Sequence, residues 1–224
     1  MPEHLSKQSP RVVCISRALG AGGEVVGRTV AEELGFAYVD EEIVQRAAEL
    51  VDVPTDLVAN AEERKSLAGR ILRELTGGMA GASIFVGAMQ PPEALSASDD
   101  YRELIQQAIH ETAERGDVVI VAHAASFALA GESDVLRVLI TGSPGPRTQR
   151  LTEEGRSEAE AAKLVEQGDR ARADYLKRFY GVKEEAPAYY DLVVSTDTLP
   201  PEAAARLVVA AGEALASVGS GLRT

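Results

Sequence analysis

A short apolar run that ends in a glycine cluster and is followed at once by an amphipathic helix leaves a chain few folding options. Residues 11–16 (RVVCIS) are apolar and rich in β-branched side chains, with Pro10 before them and the glycine-rich stretch 17–23 (RALGAGG) after them. That is the pattern of a short strand buried on both faces. A helix is expected over 24–34, because Val26, Val30, Ala31 and Leu34 recur at helical spacing, with Gly35 as its stop. Residues 36–39 read as a second strand ending at Asp40. Strand, glycine loop, helix and strand in that order make a parallel βαβ unit.

The rest of the chain extends that unit. Residues 41–51 and 55–75 are expected to be helical, with Pro54 at the break,. Residues 76–98, rich in glycine and holding Pro91-Pro92, read as a long loop of the kind that usually has a function,. A helix follows to Arg115, with Tyr101, Leu104, Ile105, Ala108 and Ile109 on one face. Residues 118–122, 136–141 and 192–195 supply three more strands. Ser157 and Glu160 form a capping box at the head of a helix reaching about residue 179,. Pro200-Pro201 opens a last helix with Leu207, Val208, Ala211, Leu215 and Val218 facing inward,. The expected class is α/β, a doubly wound five-stranded parallel sheet with helices on both faces. One domain is expected over 11–218, with frayed ends at 1–10 and 219–224.

Charge and cysteine content exclude several classes. With 23 Lys+Arg against 35 Asp+Glu, a formal net charge of −12, the chain lacks the cationic surplus that nucleic acid or an anionic membrane requires. A single cysteine, Cys14, rules out disulfide frameworks and thiolate metal sites. In a central strand it is expected to be a buried small hydrophobe. His4, His110 and His123 are too far apart for a local zinc motif, so no metal ligands are assigned,. The start of the chain lacks a secretory apolar segment and no run approaches a membrane span, so a cytoplasmic protein is expected.

Ligands of open parallel sheets bind beyond the carboxyl ends of the strands, where the loop after the first strand lies. Its glycines let the backbone approach a ligand, and the helix behind it offers unpaired N–H groups to an anion. The spacing resembles the phosphate-binding loop G-x-x-x-x-G-K-[ST] rather than a dinucleotide fingerprint. Arg17 then stands at the first glycine, Gly23 at the lysine and Glu24 at the hydroxyl residue. The candidate phosphate-binding residues are Arg17, Gly20, Ala21, Gly22, Gly23 and Glu24. The missing positive charge comes from Arg17 or from Arg28, unless Arg28 only neutralises Glu24 one turn before it. A glycine turn holding no ligand is the plainer alternative.

Ile15, Ser16 and Arg17, then Gly20 to Gly23, Gly27 and residues 31–35 (AEELG), resemble the opening of the cytidylate kinase-like family. Asp169, Arg170, Arg172 and Tyr175, then Phe179-Tyr180-Gly181, residues 190–194 (YDLVV), Thr196, Asp197 and Leu199, resemble its final third. Residues 118–121 and 137–140, with Arg147 and Arg150 after them, occupy the expected positions between. The resemblance covers about residues 11–216. It implies a P-loop fold like that of nucleoside monophosphate kinases, with a helical substrate insert at about 41–98 and an arginine-bearing lid at about 147–181. The implied kinase reaction moves the γ-phosphoryl group of ATP, carried with Mg2+, to a nucleoside monophosphate, so the implied partner is a small-molecule nucleotide. Gly-Gly in place of Gly-Lys is shared with many members. Glu24 stands where a basic residue is frequent, and Ala122-His123 where the family tends to read Gly-Arg.

Phosphoryl transfer is largely positioning and charge stabilisation. Arg150, Arg156, Arg170 and Arg172 are therefore the catalytic candidates. Against that, Asp169–Arg172, Arg170–Asp174 and Asp174–Arg178 are at helical spacing for plain surface ion pairs. Asp40 either meets the acceptor or caps the next helix. Arg46 either touches the acceptor phosphate or lies on a solvated face. His123 either bonds phosphate or base or is a satisfied core histidine. Tyr175, Phe179, Tyr180, Tyr189 and Tyr190 either stack a base or pack the long helix on the sheet. Three functions stay open: this transferase, a phosphotransferase on another small acceptor, or a catalytically degenerate relative serving as a nucleotide sensor or protein-interaction module. The loop 76–98 is a substrate flap or the subunit contact of a homodimer.

Overall fold

A computed structural model of the chain describes residues 12–40, 98–121 and 124–221. The helices expected over 41–51 and 55–75, most of the loop 76–98, Arg46, Ala122, His123 and the first ten residues lie outside the described residues.

The opening unit is as expected: β1 (Val12–Arg17), α1 (Gly23–Leu34) and β2 (Ala37–Val39). Then come α2 (Ser98–Arg115), β3 (Val118–Ile120), a single turn α3 (Ala125–Ala128), β4 (Val135–Thr141), α4 (Pro144–Glu153), α5 (Glu158–Tyr180), β5 (Leu192–Ser195) and α6 (Pro201–Gly221). The strands form one parallel sheet in the order β2-β3-β1-β4-β5. β1 is central, with Val13 in register with Val119 on one side and Leu136 on the other.

Alternate residues of β1 face opposite helical layers, which is why the whole run is apolar. Val13 and Ile15 pack with Val26 and Val30 of α1 and with Ala204, Ala205 and Val208 of α6. Val12 and Cys14 pack with Ile105, Ala108 and Ile109 of α2 and with Leu129. Burial raises the Cys14 thiol far above its ordinary range, so it stays a neutral apolar filler,. Each of the buried valine, leucine and isoleucine side chains contributes about 1.5–3 kcal/mol relative to exposure.

One local expectation is corrected, one helix is added and one expectation is met. Leu207 points outward at 47% exposure while Val208 is buried; the inward stripe of α6 runs through Ala204, Ala205 and Val208 toward Ala211 and Leu215. Helix α4 occupies a stretch to which the sequence pattern assigns no element. The expected capping box forms, with Ser157 accepting from the Glu160 amide and Glu160 accepting from that of Ser157. Among the described residues no helix is long and apolar enough to cross a membrane.

Candidate active site

The loop Ala18–Gly22 leaves the central strand at the carboxyl edge of the sheet and feeds the first turn of α1. Gly20 and Gly22 have φ of 76° and 78°, the left-handed conformation that alternates peptide directions and builds an anion-binding concavity. The Ala21 amide closes a turn on the Ala18 carbonyl at 3.0 Å.

Gly23 has no room for a side chain. A Cβ there would lie 2.5 Å from Cβ and 2.8 Å from Cδ of Arg17. The aliphatic stem of Arg17 therefore fills the space where the side chain of a phosphate-loop lysine would begin. Its guanidinium pairs with Glu24 at 2.9 Å and sits 3.7 Å from Asp40. Among the described residues the Arg17 Nε is buried without a hydrogen-bond partner, an unsatisfied donor beside the loop. Arg28 instead lies over the Tyr38 ring, 4.4 Å from its centre. The charge opposite Glu24 thus comes from Arg17. Tyr38 donates to Asp40 at 3.2 Å; burial, reinforced by the Asp40 charge, pushes its hydroxyl up to about 12.

Side chains from α4 and from the end of β5 hold the other side of the loop. Arg147 donates to the Leu19 carbonyl at 3.2 Å and pairs in a fork with Asp169 at 2.8 and 2.6 Å. Arg150 donates to the Gly20 carbonyl at 3.1 Å and to the Thr196 carbonyl. The Thr196 hydroxyl lies 3.0 Å from the Ala21 carbonyl and 3.2 Å from that of Thr141. Asp197 accepts from the Ser143 amide and hydroxyl, both at 2.6 Å. These bonds hold the Asp197 carboxyl below its usual range and join the loops after β4 and β5.

Of the other lid arginines, Arg172 forks onto Glu185 at 2.8 and 2.7 Å and donates to the Tyr190 hydroxyl at 3.1 Å. Asp169 and Arg172, whose helical spacing offered a surface ion pair as the plainer alternative, each take a distant partner instead. Arg170 pairs with Glu166 at 2.5 Å and Arg156 with Glu154 at 2.9 Å, both on exposed surface. The structure therefore gathers Arg17, Gly20 to Glu24, Asp40 and Arg150 around one loop, and gives Arg156 and Arg170 local partners. A cavity of about 400 Å³ opens beside Ala18, between Leu139 and Thr141 of β4, Asp169 and Arg172 of α5, and Glu185, a size suited to a small molecule. The tyrosines near the carboxyl third converge on Phe127, whose ring is 5.5 Å from Tyr180 and Tyr189 and 5.8 Å from Tyr190.

Burial raises the Glu185 carboxyl, but the Arg172 hydrogen bonds and charge outweigh it and hold the group below its ordinary 4.5. A carboxylate depressed in the folded state stabilises above its unfolded pKa and loses that contribution as the pH falls through its folded value. The stability gap between the wild type and Glu185→Gln is therefore expected to narrow below pH 4.5. Thermal melts between about pH 6 and about pH 3 measure it, and a gap independent of pH would refute the assignment.

Residues 12–198 match the model of the cytidylate kinase-like family. The chain belongs to that family. The cytidylate kinase of Ignicoccus hospitalis is 26% identical over 193 residues, which cover 86% of this chain and 93% of that protein. An uncharacterized protein from Eubacterium ventriosum superposes with a TM-score of 0.61 at 17% identity, over 89% of this chain and 96% of that one. A gluconokinase from Sinorhizobium meliloti superposes with a TM-score of 0.50 at 15% identity, over 96% and 99% of the two chains. At these identities the structures establish the fold, a P-loop kinase sheet with helices on both faces. In this cytidylate kinase-like chain, Arg147 and Thr196, named from the sequence only within the resemblance and not as site candidates, also face the loop. Adjacency of β1, β4 and β5 is the signal that finds them, since loops leaving neighbouring parallel strands share one edge.

Proposed function

We propose that the chain is a phosphotransferase that moves the γ-phosphoryl group of ATP to a nucleoside monophosphate, with Arg17 supplying the charge that a lysine supplies in the usual phosphate loop. The observation that carries this reading is the exchange of volume between Gly23 and Arg17: the glycine exists because the arginine stem lies across it. The loop amides of Gly20 to Glu24 suit the triphosphate, because left-handed glycines and a helix N-terminus converge there,. Glu24 and Asp40 are both engaged by Arg17, so the magnesium ion is taken to arrive with the nucleotide and to be held by its phosphates. The acceptor is assigned to the side of Asp40, Arg46 and His123, under a lid bearing Arg150, Arg156, Arg170 and Arg172. The cavity beside Ala18 lies on the β4 and α5 side of the loop, away from Asp40, and has room for a small molecule.

Before nucleotide arrives Arg17 is engaged by Glu24, so the carboxylate competes with phosphate. Titration calorimetry with magnesium ATP is expected to give saturable heat in the wild type. Arg17→Met keeps the stem, removes the charge and is expected to weaken binding about 10-fold or more. Glu24→Gln is expected to tighten it roughly 3-fold, the scale of an exposed ion pair. Absence of heat at millimolar ATP would remove the binding reading. Binding without turnover of CMP, dCMP, UMP or AMP would remove this choice of acceptor.

A further inference from the structure

We propose that Arg150 and Thr196, with Arg147, are positioning residues that fix the phosphate loop in its binding conformation from behind, without touching the nucleotide. The inference rests on the phosphotransferase reading for its consequence in binding, and on the loop geometry alone for its structural content.

Three consecutive loop carbonyls, those of Leu19, Gly20 and Ala21, each lie against a donor from outside the loop: Arg147, Arg150 and Thr196 respectively. The Ala21 carbonyl lies in the buried interior and needs the Thr196 hydroxyl for that reason alone,; the Leu19 and Gly20 carbonyls are only part-buried, and burial does not by itself call for an arginine on each. In a planar trans peptide the carbonyl and the following amide point in opposite directions. Holding the Leu19 and Ala21 carbonyls toward α4 and β5 therefore turns the Gly20 and Gly22 amides the other way, toward the mouth of the loop. Holding the Gly20 carbonyl orients the Ala21 amide, which closes the turn on Ala18.

The backbone also leaves the loop little freedom to retreat. A Cβ on Gly20 would meet the Arg147 carbonyl oxygen at 2.7 Å, and one on Gly22 would meet Pro201 at 2.6 Å. Arg150 bridges two elements, since the guanidinium that holds Gly20 also donates to the Thr196 carbonyl. Thr196 in turn reaches back to Ala21. The ring Gly20–Arg150–Thr196–Ala21 thus closes through side chains that lie 130 and 175 residues along the sequence from the loop positions they hold. A loop with only glycines and alanine between Leu19 and Glu24 has no side chains of its own to choose one conformation,. The ring supplies that choice, and a site so organised gains affinity by cutting the ordering cost of binding.

The test combines amide hydrogen exchange on the full chain without nucleotide with magnesium ATP titration. Arg150→Met is expected to speed exchange at residues 20–24 about 10-fold or more while β1, β4 and α5 keep wild-type protection. It is expected to weaken magnesium ATP by about 10-fold, raise the KM for ATP and leave the KM for the acceptor unchanged. Arg150→Lys, whose single ammonium lacks the fork that bridges two carbonyls, is expected to recover part of both effects. Thr196→Val, nearly isosteric, is expected to speed exchange at Gly22 and serves if Arg150→Met folds poorly. Weakened binding with wild-type exchange in the free protein would mean that Arg150 meets phosphate directly and would overturn the proposal, as would no change in either measurement. Faster exchange in Arg150→Met, in a chain whose wild type binds no ATP, would uphold the positioning role and refute the phosphotransferase reading.

Discussion

Gly23→Lys, made alone, is expected to destabilise the protein and abolish tight triphosphate binding, although it restores the lysine of a phosphate loop. Any Cβ at position 23 lands 2.5 Å from the Arg17 Cβ, an atom near the backbone that cannot swing aside. Overpacking of this kind costs about 1–3 kcal/mol and drives the Arg17 guanidinium from the loop mouth. Arg17→Gly alone removes the cation and leaves an empty slot. The double variant, Arg17→Gly with Gly23→Lys, spells a full G-x-x-x-x-G-K loop and relieves the clash. Its stability and magnesium ATP affinity are expected to exceed those of either single variant, with a coupling of about 1–3 kcal/mol. Urea unfolding and calorimetry on the four proteins of the cycle measure it. Strict additivity would show that the two positions do not share one volume.

Asp169→Ala is expected to produce the largest loss of stability among single changes outside the core. It leaves the Arg147 guanidinium, whose side chain is only 4% exposed, without its carboxylate. Breaking a buried pair by removing one partner costs about 3–5 kcal/mol. Asp169 itself is 44% exposed, so water reaches the site and about 2–3 kcal/mol is the better figure. At this chain length that lowers Tm by roughly 5–10 °C. Removing both charges with Arg147→Met in the same chain is expected to recover part of the loss, because the uncompensated cation is gone. It does not recover loop order, since the Leu19 carbonyl loses its donor. A melting temperature unchanged in Asp169→Ala would show that Arg147 finds another anion.

The elements with strong local signals were legible in the sequence. The run around Cys14, the glycine cluster, the amphipathic stripe of α1 and the Ser157 capping box each state their structure within a few residues, and all four form. Helix α4 was obscured because its first turn reads Pro144-Gly145-Pro146, a composition of loops. Prolines are tolerated there because first-turn amides have no helical acceptor in any case. Leu207 and Val208 are adjacent, so one narrow stripe could not take both, and only the burial geometry tells which.

In the candidate site, the loop and Asp40 could be read from position in a parallel sheet. The partners of the arginines could not. Helical spacing proposes neighbours three or four residues away, whereas Arg172 reaches Glu185 and Arg147 reaches Asp169, 13 and 22 residues distant. Such pairings are set by strand order and by how α4 and α5 fold back over the loop, which no local pattern encodes.

The move of a cation from the head of α1 to the end of β1 has a consequence for chemical selectivity. A lysine at a helix start is a mobile point charge that follows whichever oxygen is nearest. Arg17 springs from the last residue of the central strand, in register with Ile140 of β4, and its stem lies against Gly23. Its planar head is held at Glu24 and Asp40 through one nitrogen, and a guanidinium differs from an ammonium in offering a rigid fork of donors. In the proposed phosphotransferase, a planar donor anchored this way is expected to favour one arrangement of phosphate oxygens over others, where a swivelling ammonium adapts to whichever is nearest.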